Sequence, residues 1–217
     1  MSGRPSHPWT TASLVVIDLE GTGAQDRDEE AILEIALVPL VAGLPDMPTS
    51  YTTLISPGRP IGRRPWLSPG LTDATLRSAP ALADIERHLA DRINAHYLVG
   101  HNVSVDWRLL HRQLPALRPA GLIDTLRLAK ALTTGRSRAL TALIHELGLT
   151  GQVNAAAPDS QPHRALWDTT ATALLLSELV TRWSPTAPTL GELLAEAALP
   201  LSPEKQPTAT APQPALF

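Results

Sequence analysis

The chain has 217 residues, a formal net charge of −3 and no cysteine. This length suits one α/β domain with a buried core and a terminal extension, and it is short for two full domains. The lack of cysteine excludes disulfides, thiolate zinc sites and cysteine nucleophiles, and the small net charge provides no overall attraction for polyanions, so such binding needs a local patch or metal ions.

The first third of the chain predicts three strands. Residues 13–19 form a β-branched apolar run that stops at a Gly-Thr-Gly turn, and further strands are predicted at 32–41 and 50–56. The run is broken by Asp18, far short of the roughly 20 apolar residues of a membrane helix, and no signal-peptide pattern precedes it. We therefore expect a soluble, cytoplasmic protein without a membrane partner.

The basic residues of the loop that follows lie close together in sequence. Arg59, Arg63 and Arg64 form the densest basic cluster of the chain. A solvated loop explains this cluster better than a phosphate site does.

The middle of the chain predicts helices. Apolar residues recur at helical spacing over 82–93, and a short strand follows at 97–99. The remaining predicted helices are 103–114, 124–133, 138–147 and 165–183. Strands first and helices later predict an α/β fold, with helices packed on a mixed sheet.

The composition changes after Trp183, where Pro, Ala and Thr dominate. One short helix is predicted at 189–199, and the residues after it offer no pattern that buries a core. We expect a domain over residues 1–184 and a Pro/Ala-rich, largely disordered tail over 185–217.

Acidic residues interrupt this pattern in three separate stretches. Asp18 and Glu20 stand two apart at the end of an apolar strand, so both carboxylates project from the same face. Burying two like charges together is costly, and a bound cation is the usual remedy. Two solvated acids at a strand end explain the pair equally well.

The second stretch is His101-Asn102 followed by Asp106, directly after the strand at 97–99. Asn102 is a predicted helix N-cap, and Asp106 lies one turn into that helix on the same side. The third stretch is His163 with Asp168, at the start of the helix over 165–183. Considered separately, Asp106 is better explained as a first-turn helix acid and His163 as a surface histidine.

The order and spacing of these stretches resemble the DEDDh exonuclease family, which includes the proofreading subunits of bacterial replicative polymerases. Its first motif appears as Asp18-Leu-Glu20, its second as His101-Asn102 with Asp106, and its third as His163 with Asp168. The resemblance extends over about residues 13–180 and includes the segments ILEIALV, TLISPGRPI, LTDATLRSAP and IDTLRLAKAL. It departs from the family at Val105, where an aromatic residue is usual, and at the segment Ser68–Thr72.

The resemblance implies a ribonuclease-H-like fold with a mixed five-stranded sheet and a two-metal 3′→5′ exonuclease. In such a site two Mg²⁺ or Mn²⁺ ions about 3.5–4 Å apart hold the attacking and departing oxygens. Asp18, Glu20, Asp106 and Asp168 are the implied metal ligands, and His163 is the implied general base. The expected substrate is a single-stranded or frayed 3′ end, with DNA favoured, and a DNA polymerase is a candidate partner.

Five further residues are candidates for contact with substrate. The turn Gly21-Thr22-Gly23 lies beside the predicted metals, and His101 and Asn102 follow the neighbouring strand. A structural turn is an equally good explanation of the first group, and an N-cap explains Asn102 without any ligand.

The last five residues resemble the short Gln-x-x-Leu-Phe motif with which bacterial proteins bind the sliding clamp. Gln213, Leu216 and Phe217 carry that resemblance, and an extended segment with apolar anchors is a known mode of peptide docking. A chance match explains these residues equally well. Two alternatives to a DNA exonuclease therefore remain: an enzyme that trims RNA 3′ ends, and a non-catalytic adaptor that binds the clamp.

Overall fold

A computed structural model describes residues 5–23, 26, 29–132, 137–184 and 186–201. Its centre is a seven-stranded sheet. The strands are β1 Leu14–Gly21, β2 Ile32–Val41, β3 Leu44–Pro45, β4 Tyr51–Leu54, β5 Tyr97–Gly100, β6 Gly121–Asp124 and β7 Ala198–Leu199. The helices in the described part of the chain are α1 Asp73–Leu76, α2 Leu82–Ile93, α3 Val103–Gln113, α4 Thr125–Leu132, α5 Leu140–Glu146, α6 Thr150–Ala156, α7 Ala165–Trp183 and α8 Leu190–Ala197.

The sheet is mixed, with the strand order β3-β2-β1-β5-β6-β7, and β4 also pairs with β2. The first strands pair in an antiparallel way, while β5 runs parallel to both β1 and β6. The five longer strands account for the predicted five-stranded sheet, and β3 and β7 add two residues each. The predicted α/β class and mixed sheet are therefore confirmed.

Successive residues of β1 face two different cores. Val15 and Ile17 pack in a core with α2 and α3, whereas Val16 packs in a core with α4 to α8. Because side chains alternate along a strand, Asp18 and Glu20 continue the row of Val16. The strand thus directs both carboxylates towards the layer that contains α7.

The structure extends the domain beyond the predicted boundary at residue 184. Leu190 and Leu193 of α8 are buried in the core with α7, and β7 pairs with β6. The indole N–H of Trp107 donates to the carbonyl of Leu201 at 2.7 Å. The helix predicted at 189–199 therefore belongs to the domain, because its apolar face completes the core.

The end of the chain lies outside the described residues, including the predicted clamp-binding residues Gln213, Leu216 and Phe217. In the part of the chain that the structure describes, no helix has both the length and the apolar character needed to span a membrane.

Candidate active site

Three acidic side chains meet at the end of β1. One carboxylate oxygen from each of Asp18, Glu20 and Asp168 lies within 4.8 Å of the other two. Asp168 comes from the first turn of α7, where the helix dipole favours a negative charge. The structure therefore places Asp168 in the first turn of the predicted helix and brings it to the two acids of the strand.

Asp106 of α3 is the fourth acid at this place. It is buried, and its Oδ1 accepts a hydrogen bond from the backbone N–H of Leu19 at 3.0 Å. This bond joins α3 to β1 between Asp18 and Glu20, so that Asp106 lies beside the group of three acids. All four predicted metal ligands are thus in one region, although they come from three distant stretches of the chain.

Burial is the main reason that these acids hold protons tightly. It raises the pKa of Asp18 well above its ordinary value, and the charges of Asp106, Asp168 and the other nearby carboxylates raise it further. Burial also raises the pKa of Glu20 to about 7, that of Asp106 to about 7 and that of Asp168 to about 6. Four such groups cannot all ionise in a desolvated place without a compensating cation.

Two hydrogen bonds favour the ionised forms against this effect. The Ser68 hydroxyl donates to Glu20 Oε2 and lowers the Glu20 pKa, and the backbone N–H of His163 donates to Asp168 Oδ1 at 3.4 Å. The departure from the family pattern at Ser68–Thr72 therefore places a hydroxyl on a predicted metal ligand.

His163 lies just before α7 in a left-handed backbone conformation, with a φ of 65°. A non-glycine residue adopts this conformation at a cost, and such strain is found where function requires a particular geometry. Its side chain is exposed, and its ring makes no hydrogen bond within the described residues. The imidazole is therefore accessible at the edge of the acidic cluster, as a general base needs to be.

An ion pair that the sequence analysis missed supports this helix terminus. Glu34 of β2 stands opposite Glu20 in the antiparallel register and is buried. Arg164 donates to both oxygens of Glu34, each at 2.8 Å, and the N–H of Ala165 donates to Oε2 at 3.2 Å. This bidentate geometry is among the stronger protein interactions, and it attaches the start of α7 to β2.

A signal for this pair was present in the sequence. Glu34 interrupts the apolar run of β2, and a charge in a buried strand requires a partner. The partner could not be identified because Arg164 is 130 positions away.

The predicted substrate-binding residues of the first turn have internal partners. The Thr22 hydroxyl accepts from the backbone N–H of Ala31 at 3.0 Å, and the Thr22 carbonyl accepts from the Trp66 indole at 3.1 Å. Gly21 ends β1, and Gly23 has a φ of 94°. Contact between this turn and a substrate stays a prediction.

His101 and Asn102 also serve the fold. The two ring nitrogens of His101 lie 2.9 Å from Thr125 Oγ1 and 2.7 Å from the carbonyl of Arg138, and burial lowers the His101 pKa. Asn102 is the N-cap residue of α3, as predicted, but its side chain makes no capping hydrogen bond. Its backbone is left-handed, with a φ of 70°, and its backbone N–H donates to Asp124 Oδ1 at 2.7 Å.

Comparisons with known proteins match most of the domain. The family model described as "Exonuclease" (RNase_T) matches residues 15–176. The DNA polymerase III subunit epsilon-like protein of Rhodobacter capsulatus is 32% identical over 170 residues, which is 76% of this chain and 23% of that protein. Exodeoxyribonuclease 10 of Escherichia coli is 30% identical over 186 residues, which is 86% of this chain and 77% of that protein.

A solved structure described as Exonuclease X in complex with 5′ overhanging duplex DNA superposes with a TM-score of 0.65. The two chains are 29% identical, and the match covers 83% of this chain and 98% of that one. The chain spans about a quarter or less of the polymerase relatives that it matches, with 12% for the PolC-type protein of Thermotoga petrophila.

Proposed function

The chain belongs to the DEDDh exonucleases of this family, and from that premise we propose that it removes 5′-mononucleotides one at a time from the 3′ ends of DNA. Membership makes the chain an enzyme that acts on nucleic acid, and it confirms the ribonuclease-H-like fold. The direction of degradation, the preference for DNA and the role of each residue are the proposal.

One observation carries the proposal. Three carboxylate oxygens from β1 and α7 lie within 4.8 Å of one another, and a fourth acid is hydrogen-bonded to the same strand. The fold buries these acids together, and burial, with the repulsion of neighbouring carboxylates, raises the pKa of each of them. A divalent cation is the ligand that removes this cost.

The donor set fits such a cation. Exonucleases of this family depend on divalent metals, and carboxylate oxygens are hard ligands that suit Mg²⁺ or Mn²⁺. We propose that Asp18, Glu20, Asp106 and Asp168 would hold two such ions, with Glu20 and Asp168 as ligands of one and Asp106 as a ligand of the other. Ions bound there would lower the pKa of a water molecule and would neutralise the charge that develops on the phosphate oxygens.

The residues of the chain position the groups that react. The exposed ring of His163 accepts a proton from the attacking water on a ring nitrogen, a role that typically contributes about 10²–10⁴ in rate. The Glu34–Arg164 ion pair holds the backbone beside His163, because Glu34 accepts hydrogen bonds both from the Arg164 side chain and from the first N–H of α7. The Ser68 hydroxyl fixes the orientation of Glu20.

The choice of DNA follows from the relatives. The relatives from Rhodobacter capsulatus and Escherichia coli are named as a DNA polymerase subunit-like protein and an exodeoxyribonuclease. Proofreading, repair and end trimming are the processes that this activity suits, and a polymerase is the candidate partner. The comparisons give no support for binding to a sliding clamp, and clamp binding and a cytoplasmic location stay predictions.

The test uses oligonucleotides of one sequence made as DNA and as RNA, each labelled at the 3′ end. We expect labelled 5′-mononucleotide to be released from DNA in Mg²⁺ or Mn²⁺ and not in EDTA. Asp18→Asn should abolish this release, whereas Asp91→Asn, which alters an exposed acid on α2, should not change it. Faster release from RNA would support the RNA-trimming alternative, and internal cleavage or activity in EDTA would contradict the proposal.

A further inference from the structure

The loop between β4 and α1 is attached to the turn that follows the acidic strand. The indole N–H of Trp66 donates to the carbonyl of Thr22 at 3.1 Å, and Arg64 donates to the same oxygen at 3.4 Å. Thr22 is two residues beyond Glu20, and Ser68, at the end of the loop, donates to Glu20 itself. The residues of this loop therefore form one wall of the active site.

Two of the three arginines in this loop are already paired. Arg59 and Arg64 both form ion pairs with Asp26, and their hydrogen bonds help to lower the Asp26 pKa to about 2. Arg63 differs from both, since its side chain is exposed and has no hydrogen bond or ion pair with any residue that the structure describes. It presents a guanidinium that is available to an anion.

Trp66 presents a second unused surface a few residues further on. It is 53% exposed, although the only polar atom of its side chain is bonded to Thr22. The exposed part is therefore apolar ring surface. The Arg64 guanidinium lies 5.9 Å from the ring centroid and helps to hold the ring in place. An open cleft of about 810 Å³ borders Arg63 and extends to Ser68 and Thr72.

We propose that Arg63 and Trp66 form a binding surface for single-stranded nucleic acid, in which the Arg63 guanidinium binds a backbone phosphate and the Trp66 ring stacks on a base. A fixed aromatic ring with an adjacent cation is the combination that binds single strands without reading their sequence. The position of this surface at the wall of the acidic cluster suits the strand whose 3′ end lies among those acids. The inference rests on the proposed nuclease function.

The experiment measures binding of fluorescein-labelled dodecathymidine with phosphorothioate linkages, which slow its hydrolysis, by fluorescence anisotropy in Mg²⁺. Trp66→Ala should raise the Kd roughly 5- to 150-fold, the range for loss of one base–aromatic stack. Trp66→Phe keeps an aromatic ring without the indole N–H, and its Kd should rise much less. Leu44→Ala is the control, because Leu44 is 59% exposed and pairs with Val41 at the end of the sheet away from Glu20.

Salt dependence separates the two contacts. Each phosphate contact to a single strand contributes about 0.7 to the slope of log Kd against log salt concentration. Arg63→Gln should lower that slope by about this amount, and Trp66→Ala should leave it unchanged.

Release of nucleotide from unmodified dodecathymidine by the wild-type protein tests the nuclease function separately. The inference would be overturned, and the nuclease function kept, if the wild-type protein releases nucleotide but the Trp66 and Arg63 variants bind with the same Kd and the same salt slope as the wild type. The inference would also be overturned if Leu44→Ala raises the Kd as much as Trp66→Ala does.

Discussion

The metal-free protein should lose stability as the pH rises from about 4 to about 7. In an unfolded chain the carboxyls of Glu20 and Asp168 titrate near 4.5 and 3.8, whereas in the folded protein their pKa values are about 7 and about 6. At pH values between the unfolded and the folded pKa of each group, the unfolded state has released a proton that the folded state retains. Stability is therefore highest at the acidic end, falls through this window and levels off above the folded pKa values.

The magnitude follows from the size of the shifts. One pKa unit corresponds to about 1.4 kcal/mol, so the rise of Glu20 from 4.5 to about 7 is equivalent to roughly 3 kcal/mol. The acids share one set of repulsions, so their contributions do not add. We expect a total loss of about 3 kcal/mol, which is a large part of the stability of an ordinary domain.

Urea unfolding at pH 4 and pH 8 in EDTA measures this loss, and the same titration with Mg²⁺ measures its reversal. A cation at about 100 times its Kd should restore roughly 2.7 kcal/mol at pH 8. Asp168→Asn removes one charge from the cluster and should reduce both the pH effect and the Mg²⁺ effect, whereas Asp91→Asn should reproduce the wild-type values. Equal stability at both pH values, with no response to Mg²⁺, would refute the reasoning.

Three further predictions concern the surroundings of the acids. His163→Ala should lower kcat roughly 10²- to 10⁴-fold while Mg²⁺ still stabilises the protein against urea; a kcat within twofold of wild type would exclude His163 as the base. Arg164→Lys keeps the charge but not the bidentate bonds to Glu34, so unfolding in urea should become easier by about 1–3 kcal/mol, and an unchanged midpoint would argue against a structural role for the pair. Trp107→Phe removes the donor to the Leu201 carbonyl, and we expect a loss of about 1 kcal/mol with faster hydrogen exchange in β7; unaltered exchange there would show that this bond does not hold the strand.

The long elements were predictable because their apolar pattern is continuous. The strand at 32–41 and the helix at 165–183 agree with β2 and α7 at both ends, since each carries enough apolar residues to define its period. The strands β3 and β7 have two residues each, and only their partners in the sheet make them strands. Thr189 with Glu192 forms a capping box that starts α8, and the short helix predicted at 189–199 begins at this cap.

The common face of Asp18 and Glu20 was predictable from local periodicity, whereas the grouping of Asp106 and Asp168 with them was implied by the family resemblance and the residues that support the acids were not predicted. The spacing of Asp18 and Glu20 placed both on one face of a strand, which requires no knowledge of the rest of the fold. Glu34 depends on a partner 130 positions away, and Asn102 is held by its backbone conformation and by Asp124. Interactions of this kind are set by the tertiary fold, and a pattern of neighbouring residues does not contain them.

The central claim is that acids from β1 and α7 share divalent cations. Crystals soaked in Mn²⁺ test it directly, because the anomalous signal of manganese locates the ion without assumptions about its ligands. We predict a peak bonded to Asp18, Glu20 and Asp168, and its loss in Asp18→Asn crystals. A map with no peak among these side chains, or with manganese bound only elsewhere, would contradict the account.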